Sequence, residues 1–206
     1  MSADHELLER WRAGDAEAGA ALFERHFDAL CRFFRNKLAD GDAVDDLIQR
    51  TFVALVEHRD QFRGDSSVRT YLFTVARHEL YGHLRRNLRE QARFDPLEQS
   101  VHDRAPSPST IVAQRKEQRL LLEALRRVPV ELQLVLELYY WEDLSASELA
   151  AVLELPEGTV RTRIRRGRQL LEQALTELAA GDEVLASTLA GLDDWARSIR
   201  ERLGPG

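Results

Sequence analysis

Apolar residues recur at steps of three and four along almost the whole chain, and that spacing lapses for any length only between about residues 94 and 110. Such steps keep side chains on one face of a helix, because successive residues turn by about 100°. The chain is therefore confined to packed helices in two groups, and the predicted fold class is all-α. In the first group Ala20, Phe23, Phe27, Leu30, Phe34 and Leu38 form one stripe over residues 16–38. Gly41-Asp42 interrupts it, and Asp42 is placed to cap a second helix with Val44, Leu47, Ile48, Thr51, Phe52, Leu55 and Val56 on its apolar side. After the turn-rich FRGDSS, residues 62–67, Tyr71, Leu72, Val75 and Ala76 open a long helix that ends in Arg85, Arg86, Arg89 and Arg93. No strand-like alternation and no internal repeat stands out.

The lapse holds Pro96, Pro106 and Pro108 among Asp, Ser and His. Proline fixes its own φ and lacks a backbone donor, so this segment predicts a flexible linker. The expected organisation is one domain over 1–93, a linker over 94–112, a second domain over 113–178 and a helical extension over 179–206. In that extension Leu185, Leu189, Leu192, Trp195, Ile199 and Leu203 mark an amphipathic helix over 182–203.

Within the second domain, SASELAAVL, the short turn ELPEG, and a longer helix capped by Thr159 make a helix-turn-helix layout. Ser145 or Ser147 caps the shorter helix, with Glu148 in its first turn. On the longer helix Val160, Ile164, Gly167 and Leu171 share one face. Thr162, Arg165, Arg166 and Gln169 centre the other, flanked by Arg161, Arg163 and Arg168. Arginine offers two hydrogen bonds to guanine O6 and N7, and threonine reaches a base edge or a thymine methyl. Flanking arginines suit phosphates. No acid lies between Thr159 and Gln169, so a self-neutralised surface helix is the weaker reading.

The first domain carries two further surfaces. Asp45, Asp46 and Gln49 interleave with Leu47, Ile48 and Phe52, an acidic and apolar mixture suited to a basic helical partner. Acids near a helix start also serve its dipole, so this pattern alone is not specific. Around the polar turn, Tyr71, Arg77, His78, Tyr81, Arg85 and Arg86 combine rings with positive charge, which suits unpaired bases; Tyr71 fits a core position equally well.

The sum of charges restrains this reading. The formal net charge is −6, whereas phosphate neutralisation by basic groups supplies most non-specific DNA affinity. Avid solitary DNA binding is not expected. Nothing in the sequence is apolar for the roughly 18 residues a membrane helix needs, and the start, MSADHELLER, lacks a signal-peptide core. Cys31, the single cysteine, excludes an internal disulfide, fits a reducing cytoplasm and reads as inert core. HELYGH, His78 to His83, misses the zinc-protease spacing: residues five apart sit about 140° apart on a helix, so no metal site is expected. Nucleophile, phosphate-loop and dinucleotide patterns are missing too, so no catalytic residues, cofactor or small-molecule substrate are expected.

The segments DDLIQRTFVAL, FRGDSSVRTYLFTVAR and LRR resemble domain two of the extracytoplasmic-function sigma factors. LEALRRVPVELQLVLELYYWEDLSASELAAVLELPEGTVRTRIRRGRQLL is similar to their domain four. The second motif alone is shared with other helix-turn-helix regulators; the pair in this order is specific. The resemblance implies a cytoplasmic transcription initiation factor whose partners are core RNA polymerase and promoter DNA. Many such factors are restrained by an anti-sigma protein. It implies that Asp45, Asp46, Gln49, Thr51 and Phe52 dock the polymerase. It implies that the loop from Arg63 through Ser66 and Ser67 to Arg69 captures a base of the −10 element, with Tyr71, Arg77, His78, Arg85 and Arg86 along the melted strand. Thr159, Arg161, Thr162, Arg163, Arg165, Arg166 and Arg168 would then serve the −35 element. Tyr71 stands where the family often has Trp, His78 and Gly82 replace its common Asn and Asp, and the helix after Gly181 lies outside the minimal pattern.

In the family, promoter elements lie ~50–70 Å apart at ~35 Å per turn, and a linker of about 20 residues extends to ~70 Å at most. The reach suffices if the linker runs nearly extended. The rival is a helix-turn-helix regulator binding duplex DNA as a dimer. It would need a palindromic site and no counterpart of residues 62–93.

Overall fold

The computed structural model describes residues 3–62, 66–87, 95–101 and 116–178. Among them lie α1 (Ala3–Arg12), α2 (Ala16–Arg35), α3 (Gly41–His58), α4 (Val68–Asn87), α5 (Lys116–Arg127), α6 (Val130–Tyr140), α7 (Ala146–Leu153) and α8 (Glu157–Leu178). The expected helix over 182–203 lies outside the described residues. Among the described residues no helix is long and apolar enough to cross a membrane.

The N-terminal unit is built on α2, which α1 and α3 flank while α4 packs on α3. Helix α1, absent from the sequence-based expectation, buries Leu8 and Trp11. It is pinned by Asp4, whose carboxylate meets Arg25 at 2.7 Å and His26 at 2.8 Å. Two neighbours on different sides rotate the buried face of α2 away from the predicted stripe. Ala18, Leu22, Ala29, Leu30, Phe33 and Phe34 are inside, whereas Ala20 and Phe27 are exposed. The cap of α3 is Asp40, two residues earlier than the expected Asp42: the Asp40 side chain accepts from the Asp42 amide at 3.1 Å.

In the C-terminal unit α8 packs against α5, α6 and α7. Helix α6 starts after Pro129 with no side-chain cap. Its first amides must find acceptors elsewhere. The segment at 95–101 supplies them: the Val130 amide donates to the Gln99 carbonyl and the Glu131 amide to the Pro96 carbonyl, both at 2.9 Å, and Val101 is buried. The opening of the expected linker thus carries ordered structure laid on α6.

Ser145 caps α7 with a complete capping box. Its hydroxyl accepts from the Glu148 amide, and the Glu148 carboxylate accepts from the Ser145 amide at 2.8 Å. Ser145→Ala is expected to cost about 1 kcal/mol, read as a lower thermal midpoint by circular dichroism. The expected cap at Thr159 is corrected: α8 begins at Glu157, and the Thr159 amide already bonds the Pro156 carbonyl at 2.9 Å, inside the first turn.

The core does not respect the division into units. Its larger apolar cluster runs from Leu8 through Leu84 to Val101, Val130, Leu134, Leu138, Leu149, Val152 and Val160. A second cluster belongs to α5, α6 and α8.

Candidate nucleic-acid interface

Helix α8 presents the most basic surface. Val160, Gly167 and Leu171 are buried as expected, and Ile164 is half-buried. Gly167 permits close contact with α6: a Cβ there would lie 3.1 Å from Leu136 Cγ. The burial of that row turns Arg161, Thr162, Arg165, Arg166 and Gln169 outward, all exposed. Two arginines have acidic partners that the reading of residues 159–169 alone overlooked. Arg161 meets Glu157 at 2.5 Å, one turn earlier, and that hydrogen bond holds its guanidinium above the usual arginine range. Arg163 is paired with Glu131 of α6. Thr162 Oγ1 donates to the Gly158 carbonyl at 3.0 Å, Thr159 is half-buried, and Arg168 is half-buried on the flank. Arg165 and Arg166 stand exposed midway along this face.

The second surface lies on α4. Ser67 Oγ accepts from the Thr70 amide at 3.0 Å at the helix start. Ser66 and Ser67 are half-buried, and Arg63 lies outside the described residues. Tyr71 is anchored rather than free: its hydroxyl donates to the Ala54 carbonyl at 3.3 Å, and its ring meets Phe62 edge-on at 5.9 Å. Burial, reinforced by Glu57, pushes its hydroxyl up. Arg77 is buried, with 7% of its surface exposed, whereas His78, Arg85 and Arg86 are exposed. Arg85 Nε donates to the Tyr81 carbonyl at 3.2 Å, which aligns its guanidinium along the helix end.

The third surface is the outer face of α3. Asp45, Asp46 and Gln49 are exposed, and Phe52 is half-buried with its ring 4.9 Å from Phe23. Thr51 is wholly buried, its hydroxyl donating to the Leu47 carbonyl at 2.8 Å, so it shapes the helix and touches no partner directly. Sequence reading missed two members. Val53 is 45% exposed, and Val56, expected on the apolar side, is 43% exposed. Asp45, Gln49, Val53 and Val56 recur at steps of four and three on one face, a signal that was present in the sequence. Two exposed valines beside carboxylates make a mixed patch of the kind that docks another protein.

His78 and His83, weighed above as metal ligands, face different partners: His78 Nε2 lies 3.2 Å from Glu154, and His83 shares a hydrogen bond of 2.9 Å with Asn87. Among the described residues no cluster fit to hold a metal occurs.

Known proteins give this arrangement a lineage. Residues 22–90 match sigma-70 region 2, and residues 118–171 match sigma-70 region 4. The RNA polymerase sigma-H factor of Pseudomonas aeruginosa is 27% identical over 184 residues, covering 85% of this chain and 95% of that protein. The ECF RNA polymerase sigma-E factor of Escherichia coli is 26% identical over 183 residues, with the same shares of both chains. The fold is similar to CnrH, solved in complex with the cytosolic domain of CnrY, at a TM-score of 0.63 and 27% identity over 85% of this chain and 99% of that one. It is also similar to RpoE from Bartonella quintana, solved with the anti-sigma factor NepR, at a TM-score of 0.58 and 23% identity over 78% and 96% of the two chains. Both modules match in the expected order, which leaves the duplex-binding dimer without support. The chain belongs to the extracytoplasmic-function sigma factors, a family of transcription initiation factors.

Proposed function

We propose that this sigma factor divides its work among the three surfaces and acts by binding, not by catalysis, in the cytoplasm beside the polymerase it serves. The outer face of α3, with Asp45, Asp46, Gln49, Phe52 and the exposed Val53 and Val56, docks core RNA polymerase. Arg165 and Arg166, with Arg161 and Thr162, read the −35 element from the major groove, while Arg168 flanks it toward phosphates and Arg163 braces α8 on Glu131 of α6. The start of α4 and its basic end, Arg85 and Arg86, take the −10 element as a melted strand. The observation that carries this reading is the separation of the surfaces onto three helices, with Asp45, Asp46 and Gln49 of α3, Arg85 and Arg86 of α4, and Arg161, Thr162, Arg165 and Arg166 of α8 all exposed.

An acidic chain gains little from bulk attraction to DNA. Polymerase holds both DNA surfaces at once, so two weak contacts act at high effective concentration. Strand capture then favours melting, since each base contact is worth ~1–3 kcal/mol. An anti-sigma partner is in keeping with the reading, as NepR is the partner of RpoE from Bartonella quintana.

Replacing Arg85 and Arg86 together by alanine tests it. Open-complex yield on a responsive promoter, measured by permanganate footprinting, is expected to fall roughly tenfold or more, with polymerase binding unchanged. Undiminished melting would remove α4 from the mechanism.

A further inference from the structure

The last residue of α1 reaches the chain where α3 gives way to the loop that enters α4. Helix α3 ends at His58, a short 3-10 turn spans Arg59–Gln61, and Phe62 follows with extended backbone. The last carbonyls of a helix have no partner within it. Arg12 supplies one here. Its Nε donates to the Arg59 carbonyl at 2.7 Å, and its Nη2 donates to the Arg59 and Phe62 carbonyls. Its Nη1 meets Glu9 at 2.5 Å, so each nitrogen of the guanidinium is engaged. A second tie runs the other way: the Arg59 guanidinium lies 5.0 Å from the centre of the Trp11 ring. That ring is seated closely, since a Cβ added at Gly19 would lie 2.7 Å from Trp11 Nε1.

Phe62 is held twice. Arg12 takes its carbonyl, and its ring meets Tyr71 edge-on at 5.9 Å, while the Tyr71 hydroxyl is tied to the Ala54 carbonyl at 3.3 Å. On the α4 side, Ser67 Oγ accepts from the Thr70 amide at 3.0 Å and closes the first turn. Both anchors of the loop are thus set by specific contacts, and the first depends on a residue about 50 positions away in sequence. A guanidinium suits this place for two reasons. Positive charge is favoured at a helix C-terminus. Its rigid fork also serves two carbonyls at once, which the point charge of a lysine does not.

We infer that Arg12 is a positioning residue for promoter recognition: by holding the Arg59 and Phe62 carbonyls it sets where the loop leaves α3, and so how strictly the loop discriminates among bases of the −10 element. This role rests on the assignment of the loop and the start of α4 to the −10 strand given above. Arg12 acts through the backbone and touches no base, because its nitrogens are already engaged and its side chain is only 22% exposed. A recognition site discriminates only as sharply as the supporting residues hold its geometry.

The full-length chain, Arg12→Gln, Arg12→Lys and Arg10→Gln are each loaded on core polymerase and given a promoter library randomised across the −10 element, and the transcripts are sequenced. Arg10→Gln removes an equal charge from the same helix, where Arg10 pairs with Asp15 on the surface at 2.7 Å, and should leave the base preferences as they are. Arg12→Gln should lower the preference for the favoured base about tenfold, within the discrimination that one base position carries. Arg12→Lys keeps the charge without the fork and should recover part of it. A role confined to stability would lower the yield from all templates alike. Hydrogen exchange of the free chain gives a second readout: Arg12→Gln should speed exchange across residues 59–71 and leave α8 unchanged. Circular dichroism checks folding, and if Arg12→Gln loses helix, Arg12→Lys decides alone. Unchanged base preference in a folded Arg12 variant overturns the positioning role, and so does unchanged exchange at 59–71. Arg63→Ala with Ser66→Ala tests the underlying assignment separately. If that variant also leaves the preferences untouched, the assignment of the loop fails and the positioning role falls with it. If it shifts them while the Arg12 variants do not, only the positioning role fails.

Discussion

Polymerase loaded with the Arg165→Ala, Arg166→Ala chain is expected to lose promoter selection by on the order of 10²–10³-fold while assembling normally. The size follows from the chemistry: a good bidentate contact to a base is worth ~1–3 kcal/mol, and two such contacts on successive residues are lost together. The specificity of the loss follows from the structure. Both side chains are exposed, and the helix is held by Val160, Gly167 and Leu171 on its other face. Exposed substitutions of this kind shift stability by about 0.5 kcal/mol or less. The measurement is run-off transcription on a −35-dependent promoter beside a co-purification assay with core polymerase. Arg161→Ala should cost less, because Glu157 already neutralises that guanidinium in the free chain.

The second large effect is expected at α3. Val53→Glu with Val56→Glu should weaken association with core polymerase by about a hundredfold or more, since central apolar anchors of an interface are commonly worth at least ~2 kcal/mol each. Charge alone does not account for this face. Asp46 is already engaged by Arg50 at 3.0 Å on the surface, and an exposed pair of that kind contributes only ~0–1 kcal/mol. Asp46→Ala should therefore weaken docking less than the valine pair, as measured by fluorescence anisotropy of labelled chain titrated with core polymerase. The thermal midpoint should hold in both cases, because these side chains project from the unit and leave the Leu47, Ile48 and Leu55 row intact.

Much of this was legible in the sequence, and the reasons are local. Helix α8 announced itself because Val160, Ile164, Gly167 and Leu171 fix its buried face and leave the arginines only one place to go. The sequence narrows the cap of α7 to Ser145 or Ser147 with Glu148 in the first turn, since a cap spans four residues, and Ser145 is the one that makes the capping box. Legibility failed where the deciding partner is distant or on another side. The buried row of α2 moved because α1 covers a face that the apolar stripe left open. Asp40 displaced Asp42 as the cap of α3, a choice between neighbouring acids that backbone geometry makes. A buried ion pair joins Lys37 to Glu137, residues 100 positions apart, and no spacing rule reaches that far. Nothing in the spacing of Glu131, Glu142 and Glu154 points to their partners; the fold sets them against Arg163, Arg69 and Arg77.

The division of labour among α3, α4 and α8 makes sense only if a polymerase assembles them on one promoter. Purified chain should therefore be added to core polymerase on a library of randomised promoters, and the transcripts sequenced. The account predicts initiation from templates that share two short elements spaced about one and a half to two helical turns apart. A folded chain that leaves core polymerase unbound, or that binds it and enriches no template, would contradict it.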